Sequence, residues 1–231
     1  MKPPKILGPW ALGQPVPSPV EEMITIDAER ADLDSMYKLL IGAIVPRPIA
    51  FVSTISPEGR GNLAPFSFFN VVCVEPPCLM ISVSPKGDGT PKDTLRNIEA
   101  TREFVVNTVS EWIVAPMNQC GADYPYGVDE MEKVGLTPLA SQKVGPMRVK
   151  ESPVQMECVL ERVVPLGEGG PGSGTLVIGR IVQMHVDARA YNDGKIALEA
   201  ILPVARLAGA DYSFTRDIFD LPRPQRPPLD G

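Results

Sequence analysis

From Asn62 to Val71 the chain reads Asn-Leu-Ala-Pro-Phe-Ser-Phe-Phe-Asn-Val, polar groups set among aromatics in a stretch of strand character. Pro65 offers no N–H to a sheet ladder, so the strand is an edge or is broken there, leaving neighbouring backbone groups for another partner. With the hydroxyl of Ser67 and the amide of Asn70 beside Phe66 and Phe68, the stretch suits a flat heteroaromatic ligand with polar edges. A bulged edge strand with buried polar side chains would carry the same pattern.

Residues 78–84 set Ser82 and Ser84 on one face of a strand exit, with Lys86 just beyond. Thr90-Pro91-Lys92-Asp93-Thr94 then reads as an N-cap, a proline at the first helical position and a first turn. Free N–H groups at such a helix start, with Lys92 and nearby hydroxyls, make a monophosphate site that needs no glycine-rich loop. The same letters also describe an ordinary helix start repaired by Asp93, whose carboxylate would repel a phosphate if it pointed inward. Arg47, held stiffly between Pro46 and Pro48, is either an anion or ring contact or a surface charge between two kinks.

His185 is the only histidine, which excludes three-histidine zinc sites and H-E-x-x-H proteases. A two-residue period places it on one strand face with Gln183 and Ile181, as a packed or surface group. Gly167, Gly169 and Gly172 match G-x-G-x-x-G, yet Pro171, Gly172 and Gly174 lead into a strand where a dinucleotide site needs a helix. The segment is expected to be a hairpin loop. Gly194-Lys195 lacks the flanking residues of a P-loop.

The elements that must position these groups are mostly strands. Apolar runs bounded by turn residues predict strands over 49–55, 62–74, 78–84, 104–109, 154–164 and 176–186, with a short one over 23–27. Helices are predicted over 36–41, capped by Asp32 or Asp34, over 91–102, from Glu111, and over 128–134. Strands in this number are enough to close an antiparallel barrel with helices outside it, a mainly β domain over 23–215. Six of the 26 prolines fall in 1–22 and four in 222–231, so 1–22 and 216–231 are expected to be extended arms.

A formal charge of -6 with scattered Lys and Arg argues against a nucleic-acid partner. The longest apolar runs fall short of the roughly 18 residues that cross a bilayer, so no membrane span is expected. The start, Met-Lys-Pro-Pro-Lys, lacks the apolar helix of a signal peptide, and a cytoplasmic location is expected. Cys73, Cys78, Cys120 and Cys158 form no C-x-x-C pair and are expected to be structural thiols.

Taken together, Pro46-Arg47-Pro48-Ile49, residues 62–69, residues 92–97 and residues 203–212 resemble the flavin reductase-like family, in order and spacing, across 23–215. The resemblance is nearest to its flavoredoxin-type and monooxygenase-component members. It implies the FMN-binding split barrel: a homodimer with one FMN per subunit near the interface, reduced by NADH or NADPH. It also implies an acceptor that is free flavin, a partner monooxygenase or another molecule. Carried onto this sequence, Asn62, Ala64, Pro65, Phe66, Ser67, Phe68 and Asn70 would line the isoalloxazine, with Ser82, Val83 and Ser84 along the ribityl chain and ring edge. Lys92, Asp93 and Thr94 would sit near the phosphate, and Arg206 and Tyr212 would touch the flavin or the partner subunit, with Tyr212 as an interface core residue the alternative. His185 becomes a candidate to approach the nicotinamide, and Arg47 a cofactor contact. Two other outcomes are consistent with the resemblance: an FMN electron carrier that does not oxidise NAD(P)H itself, and an FMN enzyme whose arms, 1–22 and 213–231, close over an organic substrate. Ala208-Gly209 stands where the family often has two glycines.

Overall fold

Leu33–Ala43 forms helix α1, begun by Asp32, whose carboxylate accepts the Ser35 N–H at 2.9 Å. The computed structural model describes residues 13–223. Seven strands follow in one antiparallel sheet: β1 (Ala50–Ile55), β2 (Gly61–Phe66), β3 (Phe69–Val74), β4 (Pro77–Val83), β5 (Glu103–Thr108), β6 (Val154–Leu166) and β7 (Gly174–Val186). Their order is β2-β1-β5-β6-β7-β4-β3. The outermost strands, β2 and β3, are consecutive in the chain and joined by Ser67-Phe68, where the Phe68 carbonyl accepts the Ser82 N–H at 2.8 Å. The sheet therefore curls until its edges meet at that corner, without pairing beyond it. This is a split barrel.

Both faces of β1 are buried, because its residues feed two cores in alternation. Ala50 and Val52 pack inside the barrel with Phe66, Ile81, Phe104, Val106 and Val177. Phe51 points the other way, into an outer layer with Leu63, Ile113, Met117, Met131 and Val149. Gly179 lies on β7 against the Phe104 ring, where a Cβ would collide with that ring. Helix α2 (Asp93–Thr101) sends Leu95 and Ile98 into the inner core. A 3₁₀ turn at Glu111–Ile113, α3 (Val114–Gln119) and α4 (Glu130–Lys133) build the outer layer. A small sheet of Arg47–Pro48, Val204–Arg206 and Tyr212–Phe214 sets Arg206 opposite both Arg47 and Tyr212.

Three expectations need correction. Residues 23–27 form no strand: Met23 and Ile24 are exposed, and no neighbour pairs with them. The run 62–74 is two strands, turned at Ser67-Phe68, with Pro65 on an edge strand as its missing donor requires. Helix α2 starts at Asp93, not after Thr90, because the Thr90 N–H and hydroxyl are both held by the Asp88 carboxylate, at 2.9 and 2.6 Å. The glycine-rich segment joins β6 to β7 as a hairpin loop, as expected. Residues 13–22 and 215–223 carry no helix or strand, and 1–12 and 224–231, the remainder of the two expected arms, lie outside the described residues. No helix among the described residues is long and apolar enough to cross a membrane.

Candidate functional site

Pro65, Phe66 and Ser67, at the end of β2, line a groove of about 550 Å³ with Tyr37, Asn118, Gly121, Arg206 and Tyr212. That volume lies in the range of small-molecule sites, roughly 300–1,000 Å³. Past Pro65 and Phe66 the groove continues into a narrower lobe lined by Asn62, Ala64, Lys86, Lys92, Asp93, Thr94 and Glu130. Gly121 borders both lobes, and a Cβ there would stand 3.2 Å from the Asn118 carbonyl oxygen and 3.7 Å from Pro65. At the wide end the Arg206 guanidinium lies 4.5 Å from the Tyr212 ring centre, and the Tyr212 hydroxyl donates to Asn118 Oδ1 at 3.0 Å. Tyr212 also packs on the outer core. Between these two residues the turn needs a left-handed residue only at Gly209, at φ 54°, so Ala208 costs the backbone nothing.

The narrow lobe ends at the start of α2, where Lys92 is the N-cap and offers no side-chain bond to the first amides. Asp93 does not repair the helix end: its carboxylate turns to Lys86 Nζ at 3.0 Å. The Lys92 ammonium has no ion-pair or hydrogen-bond partner among the described residues, and it also lines a small pocket with Ser84, Pro91 and Gly174. Behind the helix start, Asn62 donates to Thr54 Oγ1 at 3.1 Å and to Thr94 Oγ1 at 3.0 Å, while Asn97 donates to the same Thr54 oxygen. Asn62 is therefore a tie between β2 and α2, holding the first turn in place. Glu130 reaches across to accept the Leu63 N–H at 2.8 Å, and burial, with the Asp129 and Asp93 charges nearby, pushes its carboxyl up from the ordinary value.

Other expected contacts lie elsewhere. Phe68, Ser82 and Ser84 face a second cleft formed with Leu33 and the glycine-rich loop, and Val83 is a core side chain that, with Ser84, also borders the small pocket at Lys92. Asn70 is exposed on β3, where its side-chain oxygen accepts the Val71 N–H, and it lines neither cleft. Arg47 is not a surface charge but a buried tie: it donates to the carbonyls of Ile41 and Ile44 at 2.7 and 2.6 Å and of Leu207 at 2.9 Å, with Nε 3.4 Å from Ser67 Oγ. Burial and the Arg206 charge lower its pKa from the usual guanidinium value. Its charge fastens the end of α1 to the 204–212 segment, so it shapes the groove wall from behind.

His185 borders a different cleft, of about 450 Å³, with Trp112, Arg148, Lys150, Asp187 and Arg189, sharing no residue with the Pro65 groove. The register Pro65–Phe51–Asn107–Gln155–His185 puts four strand spacings between them, each about 4.8 Å. A bulge between Ile181 and Gln183 breaks the two-residue period expected there. His185 Nε2 donates to Glu157 Oε1 at 2.7 Å, and the fully buried Glu157 also accepts the N–H groups of Gln142 and Lys143 at 2.8 and 2.6 Å. Burial works to raise the Glu157 carboxyl, but these donors outweigh it and hold it below the ordinary value.

Sequence reasoning missed Tyr37, Asn118, Gly121, Ala122 and Glu130 as groove residues. They come from α1, α3, the loop after α3 and α4, and no local motif marks them. Only the packing of the outer layer brings them to Pro65.

A family model described as the flavin reductase like domain matches residues 42–199. An uncharacterized protein of Halalkalibacterium halodurans is 46% identical over 189 residues, covering 81% of this chain and 90% of its own length. Among solved structures, nitrilotriacetate monooxygenase component B from Bacillus cereus is 41% identical with a TM-score of 0.83, over 87% of this chain and 100% of its own. The 2-nitrobenzoate 2-nitroreductase of Pseudomonas fluorescens is 31% identical with a TM-score of 0.79, over 90% of this chain and 100% of its own.

Proposed function

The chain belongs to the flavin reductase-like family, and on that premise we propose that it is an FMN-binding NAD(P)H:flavin oxidoreductase. The observation that carries this reading is the open start of α2, with Lys92 unpaired at one end of the groove that runs past Pro65 to Tyr212. Free amides and an unpaired ammonium suit a phosphate monoester, and the wider lobe suits a flat ring with polar edges. FMN bound there supplies the hydride-accepting ring and the store of electrons. The chain's own residues do the placing. Lys92 and the first amides of α2 hold the phosphate, Ser67 and the backbone around Pro65 meet the ring, and Arg206 with Tyr212 closes the far end. No single acid or base is required, because hydride transfer depends on stacking geometry.

A homodimer is part of this reading. Helix α1 buries only Ile41, while Leu33, Tyr37, Leu39 and Leu40 stand exposed beside Ile44 and Val45, an apolar face that a second copy would cover. Residues 23–215 act as the catalytic unit, and the four free cysteines fit a cytoplasmic setting. Electrons would pass to free flavin, to a monooxygenase partner as the name of the Bacillus cereus protein suggests, or to another acceptor. The nitroreductase likeness favours a second reading, FMN-dependent reduction of a bound organic molecule.

An anaerobic titration of the purified, FMN-loaded protein with NADH and then NADPH tests the proposal. Bleaching of the flavin by either nucleotide supports it. Protein that binds no FMN overturns it, and protein that holds FMN yet is bleached by neither nucleotide is an electron carrier.

A further inference from the structure

Outside the groove, the β3–β4 hairpin sets Cys73 directly opposite Cys78. Residues facing each other across antiparallel strands have Cα atoms about 4.5–5.5 Å apart, inside the roughly 4.4–6.8 Å that a disulfide spans. Cys73 is exposed and its thiol donates to the Pro76 carbonyl at 2.9 Å, whereas Cys78 is buried at 3% exposure. Reagents in water therefore reach one sulfur, and the other waits behind it. Cys120 and Cys158 are buried and have no cysteine opposite them; burial pushes the Cys120 thiol up to about 12 and also raises those of Cys158 and Cys78. The four thiols are thus unequal, and two of them are placed as a pair.

We propose that Cys73 and Cys78 are a reversible disulfide site, in which Cys73 meets a hydroperoxide and Cys78 resolves it. In the first step the Cys73 sulfur attacks peroxide. An S–O bond forms and the O–O bond breaks, giving a sulfenic acid and one water. In the second the Cys78 sulfur attacks Cys73: the S–S bond forms, the S–O bond breaks, and the hydroxyl leaves with the Cys78 proton as a second water. Two thiols lose two electrons and hydrogen peroxide gains them. A dithiol reductant reverses the change by exchange. In a reducing compartment such a bond is transient, as a redox-sensing pair requires.

The test uses the whole chain, reduced, freed of reductant, exposed to hydrogen peroxide, alkylated under denaturing conditions and digested with trypsin. Cleavage after Arg60 and Lys86 leaves both cysteines in one peptide, 61–86. The expected result is that this peptide loses two hydrogens and resists alkylation, regains both thiols with dithiothreitol, and that the Cys120 and Cys158 peptides alkylate throughout. In C73S, which removes only the exposed sulfur, Cys78 should stay fully alkylated. The proposal is overturned if the 61–86 peptide keeps both thiols, if Cys73 gains oxygens without bridging, or if the product is a covalent pair of chains.

Discussion

Two clefts, the Pro65 groove and the one at His185, lie four strand spacings apart on one sheet, and they differ in how their charges are used. Around His185 most charged groups are committed, with the Lys150 ammonium the exception among the described residues. Glu157 takes two amides and the histidine, Arg148 donates to Ala140 O and Gln155, and Arg189 forks onto Asp187. At the Pro65 groove, α2 begins without a side-chain cap, its acidic residue is drawn off by Lys86, and Lys92 has no partner among the described residues. A cleft whose donors are already satisfied stabilises the fold, and one whose donors are unspent has something to offer a ligand. On that difference we propose the groove as the cofactor site, while the Glu157 contacts beside the His185 cleft tie β6, β7 and the 140–150 loop together.

The comparison can be broken most decisively at Glu157. E157A removes the buried acceptor of the Gln142 and Lys143 amides and of His185, so denaturant unfolding should show a loss of about 3–5 kcal/mol, as for other broken buried pairs, with the FMN affinity of the folded protein unchanged. A drop in FMN affinity would mean the two clefts are coupled. Next in size, K92A should weaken FMN binding roughly 10–100-fold, the worth of a hydrogen bond to a charged group, and leave riboflavin binding unaltered.

A smaller effect lies in the acid range. Because its donors hold the folded Glu157 carboxyl below its ordinary value, its contribution is complete above an unfolded pKa of about 4.3 and is lost as pH falls through the lower folded value. Stability measured against pH should therefore fall more steeply below that point in the wild type than in E157Q. The smallest change is expected from H185Q, which should leave flavin reduction within about threefold, where loss of an acid–base catalyst costs roughly 10²–10⁴-fold.

The barrel was legible because its strands are bounded by turn residues and because β1, buried on both faces, opens in the apolar run 49–52. Pro65 was legible as an edge signal. Thr90 misled, since a Thr-Pro pair looks like a helix start, and only the neighbouring Asp88, which claims both of its donors, moves the start to Asp93. Arg47 and Asn62 were found as polar residues near the site, but whether such a group faces a ligand or a protein partner depends on Leu207 and on Thr94, 160 and 32 residues away. The loop after α3 carries no motif at all. Its place beside Pro65 is a product of tertiary packing, which single-sequence patterns do not encode.

The central claim, that the groove holds a flavin by its phosphate at the start of α2, is tested most directly by titrating the flavin-free protein with FMN and with riboflavin and following flavin fluorescence. The account predicts that FMN binds at least about tenfold more tightly, since only FMN can use Lys92 and the free amides. Equal affinities for the two flavins would contradict it.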